Sequence, residues 1–278
     1  MAARSLNSRP TTVLEVKAQR PMARRRHAIE DAIDRLHEAH WWIHQMEEWY
    51  HDPDPFRYSL NSFLRALKEV PDILRMAMQN APGFPSWFRE RIQIATQDPL
   101  VSRLFKHRDV LVHKRMLLPV SIGAIGITEL RGMKFGMSTK VDPFRDSDEL
   151  MVAYLVGVAE KRDQKRRSDF LEILRNDDDS LPCVQRVWRL NDIAELEAVE
   201  LAARAWVTVG TLVYDTLVWA GRGPLPVDLS CRHSAQRVQF RLYPREWLED
   251  AVRRLRGGED IRAVRDLLRA KRYGPPPS

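Results

Sequence analysis

The stretch AIEDAIDRLHEAHWWIHQMEE, residues 28–48, decides the fold class. Ile29, Ala32, Ile33, Leu36, Ala39, Ile43 and Met46 recur at steps of three and four, which places them in one apolar stripe along a helix. Trp41, Trp42, Trp49 and Tyr50 widen the stripe. His51-Asp-Pro-Asp-Pro55 ends it, because proline cannot continue the hydrogen-bond ladder. A second stripe begins at once with Phe56, Leu60, Phe63, Leu64, Leu67, Ile73, Leu74 and Met78. So short a connection predicts two antiparallel neighbouring helices.

Outward from this hairpin, Ala81-Pro-Gly-Phe-Pro85 reads as a turn before a short helix carrying Trp87, Phe88 and Ile92. Asp98-Pro99 has the form of an N-cap with proline at the first helical position. The helix it opens holds Leu100, Leu104, Phe105, Leu111 and Val112 and stops before Pro119. The period then changes. Ile122, Ile125 and Ile127, then Met133, Phe135 and Met137, predict a β-hairpin over about 120–141, broken at Arg131-Gly132. Two long helices follow, over about 147–174 and 191–220, joined by the acidic loop Asn176-Asp-Asp-Asp-Ser180. Val238, Phe240 and Leu242 alternate as a short strand. Helices near Trp247 and Val264 and a frayed tail, Gly274–Ser278, finish the chain.

The expected organisation is a basic disordered arm over 1–26 and a mainly α antiparallel bundle over 27–222 with an inserted β-hairpin. A small C-terminal α/β extension, strand then helices, follows over 223–278. No internal repeat is present. Met1 to Arg26 lack the apolar centre of a secretory signal; being basic and nearly free of acids, they also fit a transit peptide, and the arm is the plainer reading.

The 278 residues carry a net charge of +7 and a pI of about 9.6. Arginine outnumbers lysine about four to one. Guanidinium groups fork onto phosphates, so this balance permits an RNA or DNA partner, although an arginine bias also follows from genome base composition. No apolar run is long enough to cross a bilayer, so no membrane partner is expected and the cytoplasm is the expected location. Cys183 and Cys231 are too few for a disulfide framework and suit a reducing compartment.

One segment carries chemistry: Leu104-Phe-Lys-His-Arg108-Asp-Val-Leu-Val-His113. Asp109 and His113 are four apart and share a helix face. Arg108 lies one residue off that face and its long side chain can swing round. Histidine exchanges protons near neutrality, arginine stabilises charge on phosphoryl oxygens, and Asp109 can orient the imidazole.

This Arg-x4-His pattern resembles the Arg-x4-6-His signature of HEPN domains. The preceding hairpin, from His40-Trp-Trp-Ile-His44 through Tyr50-His-Asp-Pro-Asp-Pro-Phe-Arg-Tyr-Ser-Leu-Asn61 to Leu67, looks like uncharacterised bacterial proteins of that type. The resemblance covers about residues 28–118. It implies a HEPN-like bundle and a metal-independent, homodimeric endoribonuclease or RNA-associated protein in stress or phage defence. His113 would be general acid or base, Arg108 the phosphate stabiliser, and Asp109 the polar residue after the arginine. Lys114 and Arg115 would hold the RNA backbone. Asp109 departs from the usual Asn, and Arg115 stands where HEPN toxins carry Tyr. The alternative is a non-catalytic helical module that binds nucleic acid or an unidentified protein partner.

Weaker signals are set against plainer readings. His37, His40 and His44 have helical spacing, and His40 with His44 could chelate a metal, but no cysteine or acid partner is evident nearby in sequence. A polar helix face accounts for them. Cys231 and His233 form one short pair without a second, and read as a small apolar cysteine with a neighbouring histidine. No metal or other cofactor is therefore expected. Trp41-Trp42 reads as a helix seam rather than a base-stacking platform. The runs Lys161–Arg167 and Arg253-Arg254-Leu-Arg256 fit either a phosphate track or solvated helix ends. No Gly-rich phosphate loop, nucleophile elbow or zincin motif occurs, which argues against common nucleotide hydrolases and peptidases.

Overall fold

The structure, a computed structural model, describes residues 28–113, 118–129, 132–160, 180–191, 193, 195–223 and 226–273; the side chains of 107–113 and of most of the second strand lie outside that set. Helix α1 (Ala28–Glu48) forms where its stripe predicts. Ile29, Ala32, Leu36, Ala39, Ile43 and Met46 are wholly buried. Trp41 departs from the expected seam: it is 51% exposed and stands edge-on to Trp42, their ring centres 4.5 Å apart. Helix α2 (Pro53–Met78) starts with Pro53, whose missing N–H costs nothing in a first turn. It lays Phe56, Phe63, Leu67 and Leu74 against α1.

Gly83, at φ +83°, turns the chain into α3 (Phe84–Ala95). Asp98 caps α4 (Pro99–His113) as expected, its carboxylate accepting from the Leu100 N–H at 3.0 Å. The chain later returns as α6 (Ala198–Trp219), which packs against α1, α2, α3 and α4. That central position explains why α6 is apolar on most of its circumference.

The expected hairpin is present as β1 (Val120–Glu129) and β2 (Gly132–Val141). It does not stand alone. Strand β3 (Pro182–Arg189) and strand β4 (Phe240–Leu242) extend it into an antiparallel sheet of order β2-β1-β3-β4. β3 has no counterpart in the sequence reading. Its inward face is Val184, Arg186 and Trp188, all fully buried, and a charged residue in that row hides the alternation that marks a half-buried strand. Trp188 locks the sheet to the bundle. It stacks on Phe56 at 4.6 Å and donates from Nε1 to the Tyr50 carbonyl at 2.8 Å.

Residues after 223 supply a short strand and two helices. β4 joins the sheet, and α7 (Arg245–Arg256) and α8 (Ile261–Tyr273) pack on α5 (Ser147–Glu160). Met151, Leu155, Tyr243, Leu248, Val264 and Leu268 form this second core. The helix expected over about 147–174 is described only as far as Glu160, and residues 1–27, 114–117, 161–179 and 274–278 lie outside the described set.

Buried charge occupies the seam between the two cores. Arg241 donates to Asp148 at 3.0 Å and to Asp52 at 3.3 Å. Arg269 reaches the other Asp52 oxygen at 2.9 Å. Tyr243 donates its hydroxyl to Asp148 at 2.7 Å. Arg186 donates to the Arg145 carbonyl at 2.7 Å and lies 4.0 Å over the Trp188 ring. Beside them, His51 Nε2 donates to the Val238 carbonyl, leaving Nδ1 to accept from the Ser147 hydroxyl, each at 2.8 Å. Burial first, and then the nearby Arg241, hold His51 well below the ordinary histidine pKa, so this ring is neutral.

Candidate metal centre

His40 and His44 are one helical turn apart on α1 and therefore project from the same face, beside the buried stripe. His40 is half-buried because its ring stacks flat on Trp206 of α6, 4.3 Å between centres and 14° between planes. Trp206 is itself held by an Nε1 hydrogen bond of 3.1 Å to the Leu36 carbonyl. The polar helix face expected for these histidines is thus partly an interior face.

The segment 226–238 crosses α1 and α6 at this point. It is anchored by the buried side chains of Val227 and Ala235. Gly210 on α6 permits the close approach: a Cβ there would lie 2.4 Å from Leu229 Cδ2. Asp228 turns the chain by accepting from the Ser230 N–H at 2.8 Å. Ser234 caps the single 3-10 turn Ala235–Arg237, accepting from Gln236 N–H. Between these two local turns sit Cys231 and His233, aimed at α1.

The result is a convergence of His40, His44, Cys231 and His233, whose ligand atoms all lie within 4.8 Å of one another. The His40 and His233 Nε2 atoms are 3.0 Å apart. Glu47, one turn beyond His44, lies beside the Nδ1 atoms of two of the rings. Its Oε2 is 3.1 Å from His233 Nδ1 and 3.5 Å from His44 Nδ1. The His233 Nδ1 contact has ion-pair distance but is off the line of a good hydrogen bond. A carboxylate behind a ligating histidine fixes its tautomer and leaves Nε2 for a metal.

The electrostatics favour ligand-competent forms. Burial, then His44, His233 and His37, lower the His40 pKa to about 4. His40 is therefore a neutral imidazole with a lone pair at neutral pH. Burial pushes the Glu47 carboxyl up, but His233, His44 and the Ser234 N–H outweigh it and hold Glu47 below the usual range, as a carboxylate. Burial and the charges of Glu47 and Asp228 push the Cys231 thiol up. A thiolate there needs a compensating cation, so metal uptake would release a proton.

The residues expected to act on RNA are placed differently. Arg108, Asp109 and His113 lie on α4, with their side chains outside the described residues, as are Lys114 and Arg115 altogether. The basic run 161–167 is outside them too. Arg253 pairs with Asp250, and Arg254 with both Asp250 and Glu259. Among the described residues, no helix is long and apolar enough to cross a membrane.

Residues 25–129 match the family described as Bacteriophage lambda protein ea47. No curated protein and no solved structure matches the chain. The match covers less than half of the chain, from α1 into β1. It takes in His40 and His44 but not Cys231 or His233. It also corrects the HEPN resemblance, because the segment that carried that resemblance falls within the match to a different family. The RNA partner and the composite dimeric active site that the resemblance implied lose that basis.

Proposed function

We propose that this protein is a zinc-binding, non-catalytic module in which His40, His44, Cys231 and His233 form a structural metal centre. The observation that carries this reading is the convergence of four ligand atoms within 4.8 Å, from two chain segments about 190 residues apart. Three imidazoles and one thiolate form a borderline-soft donor set suited to zinc. Zinc bound at about 2.0–2.1 Å holds tetrahedral nitrogens about 3.3 Å apart, close to the 3.0 Å between His40 and His233 Nε2. The widest ligand pair closes by about an ångström. Four protein donors fill a tetrahedral shell and leave no position for a reacting water. The centre's work is to hold the 226–238 segment, which has one 3-10 turn of regular structure, against α1 and α6.

The test is metal analysis of the purified full-length chain. Roughly one zinc per chain is expected, with Cys231→Ser and His40→Ala each depleting it. Cobalt(II) substitution is expected to give a thiolate charge-transfer band that Cys231→Ser abolishes. Protein that neither carries zinc nor takes it up from a buffered zinc solution would sink the proposal. So would zinc retained in a Cys231→Ser, His40→Ala double variant. Copper in place of zinc would overturn the metal assignment.

A further inference from the structure

A second feature, on the side of the bundle formed by α2, α3, α4 and α6, belongs to neither the metal centre nor the ionic seam. These helices leave a half-open cleft of about 420 Å3. Its floor is apolar, made by Phe88, Ile92, Phe105 and Leu212. Its rim is charged. Lys68 and Arg75 on α2 and Lys106 on α4 face one carboxylate, Asp72.

The volume lies within the roughly 300–1,000 Å3 of clefts that hold one small molecule. An apolar floor with a few polar groups at the mouth suits a ligand with an apolar body and one charged end. The sign of that charge follows from the rim. The Asp72 carboxylate already accepts from Arg75 at 3.2 Å. Both partners are more than half exposed, so this pair is weak and Arg75 can turn to another anion. Lys106 is exposed at the mouth. Among the described lining residues, Arg75 and the exposed Lys106 give the mouth a positive sign that attracts anions and repels cations. A guanidinium and two ammonium groups, each near apolar surface, match a carboxylate head on an alkyl or aryl body.

We infer that this cleft binds a small amphiphile with a single carboxylate head group. The apolar body lies on Phe88 and Leu212, and the head lies between Arg75 and Lys106. This site is independent of the metal centre, so its occupancy does not require bound zinc.

The experiment is calorimetric titration of the full-length protein with monomeric decanoate and with decyltrimethylammonium, which has the same chain and the opposite head. Saturable decanoate binding at least tenfold tighter than that of the cation is expected, weakening as salt rises. Ala95→Phe and Ser102→Phe each fill the cleft without deleting core atoms, and each is expected to weaken decanoate at least tenfold with an unchanged melting temperature. Having two such variants guards against one failing to fold. Arg75→Glu with Lys106→Glu, both at exposed positions, is expected to erase the preference between the heads. Equal binding of the two amphiphiles by the wild type overturns the inference, as does decanoate binding that survives both filling variants. No binding of decanoate overturns it as well, and an acidic apolar peptide that binds where decanoate does not would assign the cleft to a protein partner.

Discussion

Two corners of this molecule gather polar groups, and they do so in opposite ways. At the seam between the two cores, unlike groups satisfy one another: Arg241 bridges Asp148 and Asp52, and Arg269 and Tyr243 complete the set. At the crossing of α1 and 226–238, like groups converge: three imidazoles and a thiol, all of which offer lone pairs. Complementary charges close a network with no outside help. The second set can share ring protons, as the His40 and His233 Nε2 atoms 3.0 Å apart do, and its lone pairs can instead take a cation. The lesson is to ask of any buried polar cluster whether its members can serve as partners for one another.

The largest expected effect breaks the self-sufficient corner. Arg241→Met leaves Asp148 and Asp52 in a dry site without their shared guanidinium, and the expected destabilisation is about 3–5 kcal/mol, read from urea unfolding. Adding zinc should not restore it.

Next in size is a proton effect at a buried acid outside both corners. Glu197 caps α6 by accepting from the Val199 N–H at 2.7 Å and accepts from the Tyr50 hydroxyl at 3.1 Å. Burial raises its pKa to about 7 despite these hydrogen bonds. The folded state therefore holds a proton that the unfolded state has lost. Its contribution is present in full below the ordinary glutamate pKa and declines as pH rises to about 7, by on the order of 3 kcal/mol in total. Glu197→Gln should flatten stability against pH across that window. An unchanged slope would mean that the carboxyl titrates normally.

The next prediction concerns the metal corner. Removing zinc with a chelator should lower stability by about 2.7 kcal/mol relative to protein at a hundredfold excess of zinc over its Kd. The effect should be absent in Cys231→Ser. The smallest expected effect sharpens the role of Glu47. Glu47→Gln keeps the side-chain shape but removes the charge behind two ligating rings, and zinc affinity should fall about 10- to 100-fold with the fold retained. A competition titration against a chromophoric chelator reads this directly. Unaltered affinity would show that Glu47 does not orient the ligands.

Much of the architecture was legible in the residues. The α1–α2 hairpin, the Asp98 cap and the 120–141 hairpin follow from periodicity and turn chemistry, which act over a few residues. The strand β3 was not legible, because Arg186 occupies an inward position where alternation calls for an apolar side chain. Its burial is possible only because the Arg145 carbonyl, Ser121 and the Trp188 face converge on it. The candidate metal centre was half legible twice over. His40 with His44 appeared as a pair and was read as a polar helix face, for want of a cysteine or acid partner, and Cys231 with His233 was set aside for want of a second pair. The fold brings the two pairs together.

What the sequence by itself determined is therefore local: which segments are helical, where they stop, and which faces are apolar. Helical spacing alone places His40 and His44 on one face. What only the tertiary structure decided is which distant segments share a corner. The packing of α6 on α1, and of 226–238 across both with Gly210 permitting the approach, brings Cys231 and His233 to those histidines. No periodicity in the chain encodes a contact across about 190 residues, because that contact arises from burying apolar faces whose own pattern carries no information about the polar groups at their edges.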